Sequence, residues 1–285
     1  MFNKEKINQI VTSALVADSY SLVSHWVYDE KQLKDLPVNW ETLNAPQAMW
    51  HKGKKAGDFT HIGDQAFWVN EFIQDKKVFD ASSYLKFWQD KMSTYSGYID
   101  GATRGTLQNI KEGNEIGSDS HDCSVIGRIS PLLLVSKDED DFVQNVETFV
   151  KLSHNSSQVI EAASFFARLL FNVSGDKNIE EEILLLKDDF NLFVQTSVEK
   201  GLDSKDANTF DTIRDFGPAC DIEECFSGII HLLAKYPNDL KELLIQNAKA
   251  GGDTSSRAMV ATMIIVANSS SDGIPQKWFD LNINE

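Results

Sequence analysis

Apolar residues recur at helical spacing along almost the whole chain, and sustained strand-like alternation is scarce. Ile7, Ile10, Val11, Ala14 and Leu15 fall at the i, i+3, i+4, i+7, i+8 positions of one buried helix face. Asp18 continues that face at i+11, an odd place for a carboxylate. Phe67, Val69, Phe72 and Ile73 predict a second helix after a glycine-containing approach, and Phe142, Val146, Phe149 and Val150 a third. Residues 159–171 are apolar nearly all round and read as a central buried helix. Further faces follow in Ile183, Leu184, Leu186 and Phe190, then from Ile222 to Leu233, then from Leu240 to Ala248, and finally over residues 258–267. Only six prolines interrupt the pattern. With no repeat, low-complexity tract or long linker, the expectation is an all-α fold, a compact helical bundle with residues 1–285 as a single domain.

Charge and cysteine usage narrow the function classes. A formal net charge of −16 makes nucleic acid and anionic membrane poor partners, because a polyanionic surface repels both. The apolar stretch 258–267 is about half the ~20 residues a membrane span needs. Charges come too early at the N-terminus for a signal segment. Cys123, Cys220 and Cys225 lack metal-knuckle spacing, cannot complete a disulfide framework, and read as small core hydrophobes. A cytoplasmic, reducing setting is the expectation.

Two segments break the helical monotony with glycine and oxygen-bearing side chains. The first runs Gly57-Asp58-Phe59-Thr60-His61-Ile62-Gly63-Asp64-Gln65, into the helix of Phe67 and Phe72. The second runs Ala250-Gly251-Gly252-Asp253-Thr254-Ser255-Ser256-Arg257, into the apolar C-terminal helix. Both place small residues, hydroxyls and carboxylates at a helix mouth, where free amides hold an anion and carboxylates ligate a hard cation. The plain alternative is capping: Asp253, Ser255 or Ser256 as N-cap, and Gly251-Gly252 as the end of the preceding helix.

The second segment resembles the Gly-Gly-Asp-Thr-Asp-Thr motif of the ADP-ribosylglycohydrolase family. Other pieces match in order. Ala14-Leu15-Val16-Ala17-Asp18-Ser19-Tyr20 resembles the family's opening helix, and Gly57-x-Phe59-Thr60 its early Gly-x-x-Thr-Asp-Asp-Thr metal segment. Arg128-Ile129-Ser130-Pro131-Leu132 is similar to a Met-Arg-Ile-Ala-Pro-Leu stretch, and Ser153-His154 to a Thr-His element. The resemblance implies an all-α hydrolase that cleaves a glycosidic bond between ADP-ribose and a protein side chain or small molecule. It also implies Mg²⁺ or Mn²⁺ ions that bind the ribose hydroxyls and orient the attacking water. The partners implied are an ADP-ribose-containing small molecule or an ADP-ribosylated protein.

Carried over residue by residue, the resemblance makes Asp64 and Asp253 the catalytic candidates, and Asp64, Asp253, Ser255 and Ser256 the metal candidates. Asp18, Thr60, His61, His154, Gly251 and Gly252 become substrate-binding candidates. The motifs also depart from the family's. Ser255 and Ser256 replace the late Asp-Thr, and in the ungapped register His61 and Ile62 stand where two aspartates belong. A two-residue shift brings Asp64 onto one of them. Hydroxyls and imidazoles are weaker Mg²⁺ ligands than carboxylates, so the ion count is two, one or none. His61 reads as metal ligand, general base, ribose donor or simple helix cap. His51, Lys52, Lys54 and Lys55 form a basic cluster that suits a diphosphate or a solvated loop, and Tyr95 and Tyr98 lie where a cleft-lining aromatic would serve an adenine. Three functions follow: an active glycohydrolase, an inactive ADP-ribose-binding protein, or a structural use of the fold, as in the lens crystallins built on it. In all but the last, the regions of Asp18, Asp64 and Asp253 should meet.

Overall fold

A computed structural model describes residues 2–269 and 273–283. It contains thirteen α-helices: α1 (Lys4–Ser21), α2 (Glu30–Lys34), α3 (His61–Lys76), α4 (Ala81–Thr94), α5 (Gly101–Lys111), α6 (Glu139–Lys151) and α7 (Ser157–Asn172). Then follow α8 (Ile179–Lys187), α9 (Leu192–Asp203), α10 (Thr209–Phe216), α11 (Ile222–Lys235), α12 (Leu240–Ala250) and α13 (Thr254–Asn268). Short 3₁₀ turns lie at Met49–His51, Cys123–Arg128, Ser130–Val135 and Gln276–Phe279. Among the described residues there is no strand, only two isolated bridges, Ser118 with His154 and Asp122 with Asp221. None of these helices is long and apolar enough to cross a membrane.

The aspartate surplus has a structural use. Asp29, Asp80, Asp100, Asp138, Asp221, Asp239 and Asp253 each cap a helix by accepting from a backbone amide in its first turn.

The axis of the fold is α13 laid along α1. Every residue of α13 from Thr254 to Ala267 is buried, and so is α1 from Ser13 to Ser21. Around this pair stand α3, α7, α11, α12 and the Cys123–Arg128 turn, and one continuous apolar cluster runs from Ile7 to Trp278. Helix α7, expected as the central one, instead keeps Ile160, Glu161 and Arg168 half-exposed on its outer side. Helix α13 also begins four residues ahead of the apolar run that predicts it. Asp253 caps it, so Ser255, Ser256 and Arg257 belong to its buried first turn.

One cysteine expectation is corrected. Cys123, in its 3₁₀ turn, is joined to Cys225 on α11 across 102 residues, with Cα atoms 6.7 Å apart, and Cys220 is the free thiol. Packing of α11 against that turn creates the pairing, which spacing along the chain does not encode.

Candidate functional site

The mouths of α3 and α13 open against the C-terminal half of α1, and Asp18 joins them. Its Oδ2 accepts from the Thr60 amide at 2.8 Å and its Oδ1 from the Thr60 hydroxyl at 2.6 Å. The Ser255 hydroxyl donates to the same Oδ1. Thr60 is the N-cap of α3, and its Oγ1 accepts from the Ile62 amide at 3.0 Å. This is why the buried face of α1 holds a carboxylate where periodicity asks for an apolar residue. Gly63 makes room for it: a Cβ there would lie 2.0 Å from Asp18 Oδ2. Burial drives the Asp18 pKa up, against the hydrogen bonds from Ser255 and Thr60 that pull it down.

At the second mouth, Gly251 and Gly252 both take positive φ, +71° and +67°. Side chains would collide there with backbone carbonyls, Val27 O at 2.5 Å and Pro218 O at 1.9 Å. The Trp26 amide donates to Gly252 O at 2.7 Å and the Gly252 amide to Val27 O at 2.9 Å, clasping the turn to the chain after α1. Buried Arg257 locks the turn from beneath, donating to Asn247 Oδ1 at 2.9 Å and to Gly251 O at 2.5 Å.

Asp253 is fully buried. Its Oδ1 accepts from the Ser256 amide at 3.2 Å and lies 3.5 Å from His25 Nδ1, to which the Ser255 amide also points at 3.3 Å. Its Oδ2 is 3.6 Å from Cys123 Sγ. Burial, then the charge of Asp122, raises the Asp253 pKa to about 6, with the Ser256 bond and Arg257 opposing. Ser256 Oγ has no hydrogen-bond partner although it is buried.

Asp18, Thr60, Ser255 and Asp253 are therefore brought together by the two mouths, with Gly251 and Gly252 framing them. Asp64 has its own partners, Lys54 and Tyr95, which each donate to its Oδ2 at 2.6 Å, and its charge still bears on Asp18. His61 is the first residue of α3 and faces His51, with 3.2 Å between His51 Nε2 and His61 Nδ1, while its Nε2 lies 3.3 Å from Asp100 Oδ2. Burial pushes the Asp100 carboxyl up, but His61 and Arg128 together hold it well below the usual carboxylate range. His154 is buried after α6, bonded through Nδ1 to the Ser153 hydroxyl at 2.8 Å, and burial lowers its pKa to about 4.

Sequence reasoning missed His25 and Trp26, placed Asp100 only in a glycine-containing stretch with Tyr95, Tyr98 and Arg104 that could line a cleft, and read His51 as part of a basic loop. His51 is buried, and Lys54 of that loop is the partner of Asp64. The one available signal was the count of histidines: three of the chain's six fall between residues 25 and 61.

The ligand atoms present do not fit a pair of Mg²⁺ ions. That ion asks for oxygen ligands in a near-octahedral set. Asp18 is saturated by the protein's own donors, Asp64 is paired with a lysine, and imidazoles and sulfur flank Asp253. Another group could hold a cation, with ligand atoms within 4.8 Å of one another: His25, His51 and His61. Cys123, Cys225 and Asp253 also lie that close, but the two sulfurs are joined in the disulfide.

The fold is an all-α bundle whose glycine-framed Asp-Thr-Ser-Ser mouth faces an aspartate on the first helix. The ADP-ribosylglycohydrolase family model matches residues 3–282, and the chain belongs to that family. Crystallin J1A of Tripedalia cystophora is similar, 22% identical over 300 residues, covering 96% of this chain and 91% of its own. Crystallin J1B of the same organism is 21% identical over 303 residues, with the same coverage. A solved structure described as an ADP-ribosylglycohydrolase-related protein complex shares the fold, with a TM-score of 0.71 at 15% identity over 97% of this chain and 92% of that one.

Proposed function

We propose that this chain hydrolyses a glycosidic bond of an ADP-ribosyl unit attached to a protein side chain or small molecule. The observation that carries the reading is the buried Asp253 carboxylate, held at a glycine-framed helix mouth beside His25 and within the same polar cluster as Asp18 and Thr60. Oδ1 of Asp253 is fixed by the Ser256 amide, which leaves Oδ2 to accept a proton. In this reading, water gives that proton to Oδ2 as its oxygen bonds to the anomeric carbon and the bond to the leaving atom breaks. The leaving group takes its proton from solvent. The Ser256 hydroxyl, buried at the α13 mouth without a hydrogen-bond partner, supplies a donor for a ribose or phosphate oxygen. No step passes through Mg²⁺ or Mn²⁺, because the donor set does not suit them.

A second reading, binding of ADP-ribose without turnover, is favoured by one specific observation. Both oxygens of Asp18 and one of Asp253 are already engaged by the protein's own donors. Release of ADP-ribose from ADP-ribosylated peptides separates the two when Asp253→Asn is compared with wild type. Asn caps a helix about as well as Asp, so the fold is kept while the base is removed. Loss of a general base should slow release by about 10²–10⁴-fold. Equal release by both proteins overturns the role of Asp253, and binding without any release by wild type selects the second reading.

A further inference from the structure

His25 follows α1, His51 ends the Met49–His51 turn and His61 opens α3, yet the three rings meet. Ring centroids are 5.3 Å apart for His25 and His51, 5.8 Å for His25 and His61, and 5.5 Å for His51 and His61. Their exposures are 0%, 3% and 0%. One nitrogen of each lies within 4.8 Å of one from each of the others. Trp26, Trp50 and Tyr98 pack edge-on to one another over this cluster, and Trp50 is exposed on its outer side.

A core built for packing alone has no use for three buried imidazoles. His25 Nε2 and His51 Nδ1 are buried without a hydrogen-bond partner. Neutral imidazole is the form that ligates a metal. The 3.2 Å between His51 Nε2 and His61 Nδ1 matches the edge of about 3.3 Å expected between two nitrogens each ~2.0–2.1 Å from a tetrahedral zinc ion. Outside the cluster, two carboxylates sit behind the rings. Asp100 Oδ2 is 3.3 Å from His61 Nε2, opposite the nitrogen that faces His51, and Asp253 Oδ1 is 3.5 Å from His25 Nδ1, opposite the unpartnered Nε2. A carboxylate behind a ligating histidine fixes its tautomer and ring orientation.

We propose that His25, His51 and His61 form a site for one borderline divalent cation of the zinc class, with three imidazole ligands and a fourth position open to water or another small ligand. Imidazole suits Zn²⁺ and its transition-metal neighbours and not Mg²⁺, so the ion is of a different class from the hard cations that the family resemblance implies, with His61 standing at one of the aspartate positions. Asp100 acts on it as a positioning residue behind His61. The proposal stands whether or not the chain has hydrolase activity.

The test is metal binding by the full chain, stripped with chelator and titrated with Co²⁺ alone, then with Zn²⁺ as competitor. The expected result is one Co²⁺ per chain with the visible absorption of a tetrahedral nitrogen–oxygen site, displaced by Zn²⁺. His51→Gln, on a loop and checked for native circular dichroism, should weaken Co²⁺ binding at least 100-fold. Asp100→Asn should weaken it about 10–100-fold, the range for loss of a carboxylate behind a ligating histidine. His25→Gln serves in place of His51→Gln if that variant does not fold. No stoichiometric Co²⁺, or binding unchanged in the folded histidine variant, overturns the proposal.

Discussion

Replacing Gly63 with alanine separates helix propensity from the packing that holds the site together. On an ordinary helix the change stabilises by about 1 kcal/mol, because alanine restricts the unfolded chain. At position 63 the new Cβ would sit 2.0 Å from Asp18 Oδ2, 2.4 Å from its Cγ and 2.9 Å from Phe59 Cβ, where ordinary contact begins near 3.4 Å. The carboxylate must retreat by about 1.4 Å (3.4 − 2.0). That distance breaks its bonds to the Thr60 amide and hydroxyl, now 2.8 and 2.6 Å. Hydrogen bonds to a charged group contribute roughly 1.5–3 kcal/mol each, so two cost about 3–6 kcal/mol, and alanine's propensity returns about 1. The net destabilisation is about 2–5 kcal/mol, a fall in Tm of at least ~4 °C for a chain of this size. Urea unfolding of Gly63→Ala, Asp18→Ala and the double variant is the assay. The double variant should be more stable than the sum of the singles by at least ~1 kcal/mol, because removing the carboxylate removes the collision. A Gly63→Ala protein as stable as wild type or more so, or strict additivity, would refute the claim that Gly63 exists to admit Asp18.

Unfolding free energy should also depend on pH through His154. Burial takes its pKa from 6.5 in the unfolded chain to about 4 in the folded one, so the unfolded state binds the extra proton between those values. Stability from this group is complete above about pH 6.5 and lost as pH falls toward 4, by about 3 kcal/mol, and His154→Gln should flatten that slope in denaturant titrations at each pH. Arg257→Lys should lower Tm by several degrees in thermal scans, since an ammonium cannot span both Asn247 Oδ1 and Gly251 O; an unchanged Tm would remove Arg257 from the support of the glycine turn.

Helix content was legible because α3, α6, α12 and the first half of α1 bury one face each and leave the other more open, which writes period 3.6 into the chain. The depth of α13 was only partly legible. Its polar first turn is buried by contacts with Asp18, His25 and Ser21, which lie 230 to 237 residues earlier, and no local pattern reports such partners. Asp18 was visible as an anomaly on an apolar face, and the glycines and Asp253 as a motif. The role of Asp64 was hidden because proximity to Thr60 along the chain says nothing of direction: at N4 of α3 its side chain turns to Lys54 and Tyr95. The histidine cluster and the Cys123–Cys225 pairing arise only when segments far apart in sequence pack, so spacing could not reveal either.

The central claim is that the mouths of α3 and α13 together receive an ADP-ribosyl unit, and amide hydrogen exchange with and without ADP-ribose tests it most directly. The account predicts slowed exchange concentrated in residues 59–63 and 251–257, with little change over the rest of the chain. Protection absent from those two segments would contradict it. So would protection placed instead at the groove of about 290 Å³ lined by Phe2, Ile7, Ile73, Leu133 and Phe171, which shares no residue with the Asp18–Asp253 cluster.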